Sequence, residues 1–356
     1  MTDILLSLLR CPLTREPFSC EVISKRKKQF KQGECEIIWE AILRTPHTMY
    51  PVIQGIPRLA VEAIIDHRSF MVQHVASFVA FEAEWKNRFA GVIQYVLKKN
   101  KRTKQSFSQE WGLFNYESDK VWDAGKEEML ERFLKETIET RQSLNGKWIF
   151  DAGCGNGLLN QSIAACGAHI IGMDFSASIE RAFEKNSEAQ AYFIQGDVQF
   201  PPLVFQGFDI VHSSGVLICT PNTELAFSCI DPCVKPEGKL SVWLYHPRKG
   251  FIHNLFNFLR NYTSRLPVKL QYYLYLFTLF PMSYVIKKMK GNPQNSREMM
   301  IDILDWFSPE FRWEHTHEEA ASWFAKRTYL PATVSTNELF GFNITGVKQK
   351  PTDTTR

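Results

Sequence analysis

The sequence carries little excess of charge of either sign. It has 42 lysines and arginines against 38 aspartates and glutamates, so the formal net charge is only +4 over 356 residues. Proteins that bind nucleic acid through its phosphates usually concentrate many more cations on one face. The basic run at residues 98–102 is more typical of a solvated helix end or a linker. The charge pattern therefore argues against a large nucleic-acid-binding surface.

Cysteine is also too sparse for a disulfide-bonded scaffold, since only 8 of the 356 residues are cysteine. Small disulfide-rich domains carry cysteine at a much higher density. Residues 1–10 lack the basic segment that opens a secretory signal, so we expect no such signal here. A reducing, cytoplasmic setting is the simplest expectation. The cysteines are Cys11, Cys20, Cys35, Cys154, Cys166, Cys219, Cys229 and Cys233.

The pattern of apolar residues divides the chain into three regions. Residues 1–62 combine a short apolar helix with basic, strand-like segments and predict a small β-rich domain. Residues 63–120 are mostly helical and are expected to link the domains. In residues 121–348 apolar strands alternate with amphipathic helices, which is typical of an α/β fold with a doubly wound, mainly parallel sheet. We predict seven strands, with runs at 148–150, 169–173, 192–194, 208–211 and 240–245, then a helix at 318–326 and β segments at 329–334 and 340–347.

A glycine-rich segment gives the strongest functional signal. It reads Asp151-Ala-Gly-Cys-Gly-Asn-Gly157 and lies between a predicted strand and a predicted helix. Glycine permits a tight turn and lets a ligand approach the backbone closely. Dinucleotide-binding enzymes use a related pattern, but here an acid ends the strand and the spacing resembles the first motif of class I S-adenosylmethionine-dependent methyltransferases. The resemblance implies a Rossmann-like methyltransferase domain with S-adenosylmethionine as cofactor. It also implies that Asp151, Gly153, Gly155 and Gly157 bind the cofactor, with Asp151 and Gly153 beside its methionine part.

Two further acids end the next two predicted strands. Asp174 follows the glycine segment at roughly the interval at which an acid accepts hydrogen bonds from ribose hydroxyls. The resemblance places Asp197, with Val198 beside it, against the adenine of the cofactor. Either acid alone could be a surface residue or a helix cap. Three acids at the ends of three successive strands support the cofactor assignment.

Histidines near strand ends are candidates for the group that accepts the proton of the methylated substrate. Residues 215–221 resemble a segment in which small-molecule methyltransferases often carry two adjacent histidines, but Ile218 and Cys219 stand at those positions here. His212 and His246 remain as candidates, since both follow predicted strands on the expected pocket side. A lone histidine near a strand end is nevertheless more often a hydrogen-bonded structural residue, so both interpretations stay open.

The N-terminal region resembles a metal-binding domain that has lost its metal. Residues 5–12 and 50–59 are similar to the small zinc-ribbon-like domain that activates certain tRNA and protein methyltransferases. Zinc takes four soft ligands there, supplied by two cysteine pairs. Thr14 stands where the partner of Cys11 would be, and Cys35 has no second thiol nearby, so we expect no metal. His315 and His317 are expected in the first turn of a helix rather than in a metal site.

Residues 106–114 resemble an aromatic signature of methyltransferases fused to such a domain. Its aromatic residues are Phe107, Trp111 and Phe114. A segment of this kind could lie across the cofactor pocket and exclude water. Ordinary aromatic packing explains the pattern equally well.

Residues 247–301 form an insertion that is rich in aromatic side chains. The uncharged run 270–286 lies between Lys269 and Lys287, and at 17 residues it is short for a membrane-spanning helix. We expect a helical lid over an apolar substrate pocket, and an interfacial patch that reaches membrane-held substrates stays open as an alternative. The aromatic residues are Phe251, Phe256, Phe258, Tyr262, Tyr272, Tyr273, Tyr275, Phe277, Phe280 and Tyr284.

Together these features predict an enzyme that methylates a small or lipid-like molecule, at oxygen or carbon rather than nitrogen. The stretch Asn-Pro-Pro-Tyr is absent, so amino-directed DNA methylation is not expected. An RNA or protein methyltransferase is one alternative, favoured by the N-terminal domain and opposed by the modest charge. A non-catalytic cofactor-binding subunit is another, favoured by Ile218 and Cys219. The sequence leaves a peripheral membrane contact and the oligomeric state open.

Overall fold

The computed structural model describes residues 1–112, 125–248, 250–292 and 294–350. Its first unit opens with a short helix, α1 (Asp3–Leu8), where the side chain of Thr2 accepts a hydrogen bond from the backbone of Leu5. Four antiparallel strands follow and pair in chain order. Their bounds are β1 Ser19–Phe30, β2 Gly33–Arg44, β3 Met49–Ile53 and β4 Ile56–Pro57. The predicted β-rich N-terminal unit is thus a four-stranded antiparallel sheet.

Four helices lead from this sheet towards the rest of the chain. They are α2 (Ala63–Asp66), α3 (Arg68–His74), α4 (Phe78–Arg88) and α5 (Ala90–Gly112). On α5 the residues Val96, Lys99, Asn100 and Thr103 are buried, whereas the lysine at 98 and the basic residues 101 and 102 are exposed. This spacing of three and four places the buried residues on one helix face. The predicted boundary near residue 120 lies outside the described residues.

The second sheet has seven strands, as predicted, in the order β10-β11-β9-β8-β5-β6-β7. Neighbours from β9 to β7 run parallel, and the pairs β9–β11 and β10–β11 are antiparallel. Its strands are β5 Trp148–Ala152, β6 His169–Asp174, β7 Ala191–Gln195, β8 Phe208–Ser214, β9 Val234–Tyr245, β10 Thr333–Asn337 and β11 Gly341–Val347. The helices around it are α6 Lys126–Thr137, α7 Leu158–Ala165, α8 Ser178–Lys185, α9 Thr223–Ile230, α10 Phe251–Thr263, α11 Val268–Met289, α12 Ser296–Phe307 and α13 His317–Ala325.

The strand order reverses direction beside β5. From β5 the chain proceeds to β6 and β7 on one side, and then returns to place β8 on the other side. In open α/β sheets the crevice at the carboxyl ends of the strands at such a switch point is where ligands bind. The glycine segment, which follows β5, starts at this crevice.

Most predicted elements of this region are confirmed. All five predicted parallel strands occur, and the predicted helix at 318–326 is α13, which starts at His317 with Thr316 as its N-cap. The segment predicted as a strand at 329–334 was placed too early, since β10 begins only at Thr333. Tyr329 instead forms an isolated bridge to Lys348, and its ring is buried against Phe324. Its apolar character reflects this packing and not a continuous strand.

The N-terminal unit packs against the edge strand β7. The backbone amide of Leu59 donates to the carbonyl of Gln195 at 2.7 Å, and the buried guanidinium of Arg58 lies 3.0 Å from the carboxylate of Glu180. Unpaired groups on an edge strand invite association with other chains. The N-terminal unit therefore covers this edge and shares a hydrophobic core with the larger sheet.

The insertion folds into the helices α10 and α11 and the start of α12. Tyr275 of α11 is buried, and its hydroxyl contacts Thr263 at 2.8 Å and the carbonyl of Phe307 at 3.2 Å, which joins the three helices. Other apolar residues of α11 face outwards: Phe277 is 76% and Met289 83% exposed. None of the described helices is long and apolar enough to cross a bilayer.

We predict that the purified protein contains no stoichiometric zinc. The thiol of Cys11 is buried against Thr48 at 3.2 Å, Cys35 is exposed, and the described residues contain no cluster of three potential metal ligands. Elemental analysis should find no zinc, and a chelator should leave the melting temperature unchanged. One zinc per chain that is lost in Cys11→Ser would show that ligands from elsewhere complete a site.

Candidate functional site

The glycine loop after β5 has a backbone that only glycine adopts readily. Gly153, Gly155 and Gly157 have φ angles of +100°, +53° and +71°. The amide of Gly153 donates to the carbonyl of Met173 at 2.7 Å, which ties the loop to β6. A Cβ atom at Gly153 would lie 2.2 Å from Cγ2 of Val216, so no larger residue fits. The loop therefore presents bare backbone at the switch point.

Two adjoining cavities lie on either side of this loop, and they share Gly153, Gly155 and Ser214 as walls. Each of the two has a cavity volume of about 100 Å³. The first cavity is lined by Lys99, Asn100, Thr103, Phe107, Asp174, Asp197, Val198, Val216, Cys219, Thr220, Pro221 and Asp305, among others. We call it the main cleft.

The predicted cofactor residues are distributed over these two cavities. Asp174, Asp197 and Val198 line the main cleft, and Asp151 lines the second cavity. Gly157 lines neither; it caps the N-terminus of α7 and lies so close to Phe193 that an added Cβ would come within 2.6 Å of the ring. This contact packs the start of α7 against the sheet, and the predicted cofactor contact of Gly157 stays a prediction.

Asp174 holds the glycine loop from β6. One carboxylate oxygen accepts the amide of Gly155 at 3.1 Å, and the other accepts the amide and hydroxyl of Ser176 at 2.8 and 2.6 Å. Burial raises the pKa of the Asp174 carboxyl, although these hydrogen bonds oppose the shift. The side chain is thus fixed at the cleft wall.

Asp197 is paired with a residue that the sequence did not indicate. Its carboxylate forms a buried ion pair with Lys99 and accepts the side-chain amide of Asn100 at 3.1 Å. The interpretation of the basic run 98–102 as solvated is wrong for these two residues, because the buried face of α5 passes through the run. Helix α5 therefore forms one wall of the main cleft.

The aromatic segment at 106–114 is described only in part. The ring of Phe107 lines the main cleft and meets the ring of Phe175 edge-on, with 6.3 Å between centroids. Phe114 and the side chain of Trp111 lie outside the described residues.

His212, one of the two predicted proton acceptors, is buried between two carboxylates. Its Nδ1 lies 3.1 Å from Asp151 and its Nε2 lies 2.7 Å from Glu136. Burial alone would lower the pKa of His212, but the hydrogen bonds to Asp151 and Glu136 outweigh it and raise the pKa to about 9. A ring that is protonated at neutral pH, with both nitrogens engaged, has no site for another proton. The geometry favours a structural role.

His246, the second predicted acceptor, lies away from the main cleft. It lines a separate crevice with residues of the insertion, and its Nε2 is 2.9 Å from the side-chain oxygen of Asn337. Its ring stacks on Phe342. The structure therefore does not bring His246 together with the glycine loop.

The structure instead places an acid of α12, the helix that begins within the insertion, at the main cleft. Asp305 of α12 lines the same cleft as Gly153 and Asp174. The hydroxyl of Tyr245, at the end of β9, donates to Asp305 at 3.4 Å, and burial raises the pKa of this tyrosine, which keeps it protonated. No sequence signal distinguishes Asp305 from other helix acids, since its position depends on how the insertion packs.

Comparison with known proteins identifies the sheet region. Residues 150–242 match the family model described as a methyltransferase domain. The chain contains an S-adenosylmethionine-dependent methyltransferase domain. The ubiquinone biosynthesis O-methyltransferase of Coxiella burnetii is 32% identical over 106 residues, 29% of this chain and 45% of that protein. Its counterpart in Hahella chejuensis is 39% identical over 127 residues, 33% and 53% of the two chains. The chain thus spans about half the length of these curated relatives.

Solved structures of other proteins are similar to this chain at lower sequence identity. The magnesium protoporphyrin IX methyltransferase of Synechocystis PCC 6803, solved with bound S-adenosylmethionine, is 13% identical. The match covers 73% of this chain and 96% of that one, with a TM-score of 0.41.

We predict that Gly153→Ala abolishes binding of S-adenosylmethionine by the methyltransferase domain, because the new methyl group would collide with Val216 and displace the loop. Gly146→Ala is the matched control: its φ is +76°, but nothing lies within 4 Å of an added Cβ. Both variants should lose roughly 1–2 kcal/mol of stability from the left-handed backbone. Calorimetric titration should show normal affinity only in the control, and normal affinity in both would contradict the cofactor assignment.

We predict that His212 stabilises the methyltransferase domain in a pH-dependent way. Its folded-state pKa of about 9 is above the ordinary value of 6.5, so its stabilisation is complete below about pH 6.5 and is lost as the pH rises through 9. His212→Gln should therefore lower stability by roughly 3–5 kcal/mol at pH 6, and the difference from the parent should shrink towards pH 9.5. His246→Gln is the control, since among the described residues that ring contacts the side chain of Asn337 and forms no ion pair with a carboxylate. A deficit independent of pH would refute the imidazolium assignment.

Proposed function

We propose that this protein transfers the methyl group of S-adenosylmethionine to an oxygen or carbon atom of a small-molecule or lipid-like acceptor. The observation that carries the proposal is the main cleft, because the glycine loop and Asp305 line the same space. The apolar residues of this cleft, such as Phe175, Val216 and Pro221, suit a small apolar acceptor. The names of the relatives from Coxiella burnetii and Hahella chejuensis point the same way.

The residues around the loop fit this cofactor. Asp174 would accept hydrogen bonds from the ribose hydroxyls, and Asp151 and Gly153 would lie at the methionine part. Two buried polar atoms at these walls, Oγ1 of Thr103 and Nδ2 of Asn156, have no hydrogen-bond partner among the described residues. Buried polar groups are normally satisfied, so both atoms are suited to a polar ligand.

Asp197 and Val198 would hold the adenine. The Asp197 carboxylate already accepts Lys99 and Asn100 on one oxygen and the amide of Gln199 on the other. Since each carboxylate oxygen can accept two hydrogen bonds, one position remains for an exocyclic amino group. The ion pair with Lys99 orients the carboxylate for this contact.

S-adenosylmethionine supplies an electrophilic methyl group on a sulfonium. The protein then has to align the acceptor atom with that methyl, exclude water and take up one proton. We assign the proton to Asp305, because the other two acids that line the described part of the main cleft, Asp174 and Asp197, serve the cofactor in this proposal. The hydroxyl of Tyr245 would orient the Asp305 carboxylate.

The insertion would act as the cover of the acceptor end of the cleft. Asp305 belongs to α12, and α12 packs on α11 through Tyr275. The outward apolar residues of α11, such as Phe277, would then face solvent, a lipid-like acceptor or the surface of a membrane that carries it. The lid and the interfacial patch are thus compatible parts of one proposal.

Product analysis tests the proposed function. The protein is incubated with methyl-labelled S-adenosylmethionine and cell extract, and the label is measured in separate lipid, small-molecule, RNA and protein fractions. We expect label in the lipid or small-molecule fraction. Label in RNA or protein would support the alternative of a macromolecular substrate, and the absence of label from every fraction would support a non-catalytic subunit.

We predict that Asp305→Asn lowers kcat by roughly 10²–10⁴-fold, the usual contribution of a general base, while the affinity for S-adenosylmethionine stays unchanged. Asp302→Asn is the matched control, because Asp302 lies one turn earlier on α12 and pairs with Lys287. The two variants are compared by single-turnover methyl transfer and by calorimetry. Equal losses in both would remove Asp305 from the proton-transfer step.

A further inference from the structure

A stacked arginine lies next to the acceptor end of the main cleft. The guanidinium of Arg312 lies between two rings, 3.8 Å from the centroid of Tyr245 and 4.1 Å from that of Trp306. Its side chain is only 2% exposed. Nη1 binds Glu314 at 2.9 Å, but Nε has no hydrogen-bond acceptor among the described residues. A fixed, planar and partly unsatisfied guanidinium is suited to binding an oxyanion.

A second arginine approaches the same place from helix α10. Nε and Nη1 of Arg260 are buried, and neither has an acceptor in the described part of the chain. Burial and the nearby charge of Arg312 both lower the pKa of Arg260, and Cys219 and Tyr245 also contribute to its electrostatic environment. Two buried and incompletely paired guanidinium groups are thus close enough for their charges to interact.

The described carboxylates around these arginines do not satisfy them. Glu314 serves several donors at once: Arg312 at 2.9 Å, Nε2 of His253 at 3.0 Å and the backbone amide of Arg248 at 3.0 Å. Asp305 accepts the hydroxyl of Tyr245. Burying cationic donors without acceptors is costly. An anionic group that reached Nε of Arg312 and Nε and Nη1 of Arg260 would offset this cost.

This region lies next to the proposed reaction site. Tyr245, whose ring carries Arg312 on one face, donates its hydroxyl to Asp305, and Asp305 and Cys219 line the main cleft. Arg312 therefore lies one side chain away from Asp305, behind the ring of Tyr245. The remaining wall of the cleft is largely apolar, with Phe175, Val216 and Pro221.

We propose that Arg260 and Arg312 bind an oxyanion group of the acceptor, so that the substrate is an apolar, hydroxylated acid carrying a carboxylate or a phosphate. This inference rests on the proposed function, because it assigns the acceptor to the cleft at Asp305. The oxyanion fixes one end of the molecule at the arginines. The atom to be methylated then extends towards the glycine loop, and Asp305 lies between the two ends.

Binding of small probes tests the oxyanion site without methyl transfer. The full-length protein, saturated with S-adenosylhomocysteine, is titrated with benzoate, phenyl phosphate and the neutral analogue benzamide, and binding is followed by NMR. Benzoate or phenyl phosphate should bind at least about tenfold more tightly than benzamide, since a charge-assisted hydrogen bond is worth this much. The stronger of the two anions identifies the source of the oxyanion.

Variants show whether anion binding depends on Arg260 and Arg312 specifically or only on the positive charge of the region. Arg260→Leu should weaken anion binding about tenfold or more without lowering the melting temperature, because Nε and Nη1 have no acceptors to lose among the described residues. Arg312→Lys keeps the charge but removes the planar fork, and should also weaken binding. Arg248→Leu is the control: it removes a neighbouring charge that stacks on Phe340 and donates to the carbonyl of Leu339, so anion binding should be unchanged.

The outcomes distinguish this inference from the proposed function. Equal binding of benzoate and benzamide, or anion binding that survives Arg260→Leu, would overturn the oxyanion site even if label is transferred to a small molecule. A second outcome is anion binding that depends on Arg260 and Arg312 without any transfer of label to molecules in the extract. This outcome would support the oxyanion site and refute the proposed function. If both hold, the labelled product should be retained by an anion exchanger, and Arg260→Leu should raise KM for the acceptor while leaving the affinity for S-adenosylmethionine intact.

Discussion

The buried chain of charges Glu136–His212–Asp151 is the interaction on which the site depends. It joins the last turn of α6 to two adjacent parallel strands, β5 and β8, at the carboxyl edge of the sheet. Three buried ionisable groups are stable together because each charge faces an opposite one at hydrogen-bond distance. Asp151 is also the residue from which the glycine loop departs. The pairing of this carboxylate therefore fixes the strand end from which the loop departs.

Glu136 also anchors the end of α6 to the antiparallel part of the sheet through its backbone carbonyl. The last carbonyls of a helix lack partners within the helix. The carbonyl of Glu136 accepts hydrogen bonds from the side chains of Ser241, Asn343 and Thr345, at 3.2, 3.0 and 2.6 Å. Lys239 binds the next two carbonyls. Glu136 thus links the end of α6 to β8, β9 and β11, and this explains why a buried helix end is tolerated here.

The sequence was sufficient to predict the sheet and the loop because their signals are local. Continuous apolar runs mark buried parallel strands, and the glycines at 153 and 155 occupy backbone conformations that other residues avoid. The burial of Lys99 could not be predicted, because the sequence does not distinguish a buried lysine from a solvated one. The distinction requires knowing which face of α5 is buried and that this face meets Asp197. Asp305 and Arg312 reach the cleft only through the packing of the insertion. His212 was recognised as important, but its role depends on Glu136, which is 76 residues away.

The contact between the N-terminal unit and β7 has a consequence for the energetics of the whole chain. Asn100 donates both to Glu62, directly after the N-terminal sheet, and to Asp197 at the cleft wall, and Leu59 binds the backbone two residues before Asp197. A ligand bound at Asp197 would therefore meet a carboxylate that is also tied to the docked N-terminal sheet. By thermodynamic reciprocity, if docking of the sheet strengthens the binding of that ligand, the ligand strengthens the docking by the same factor.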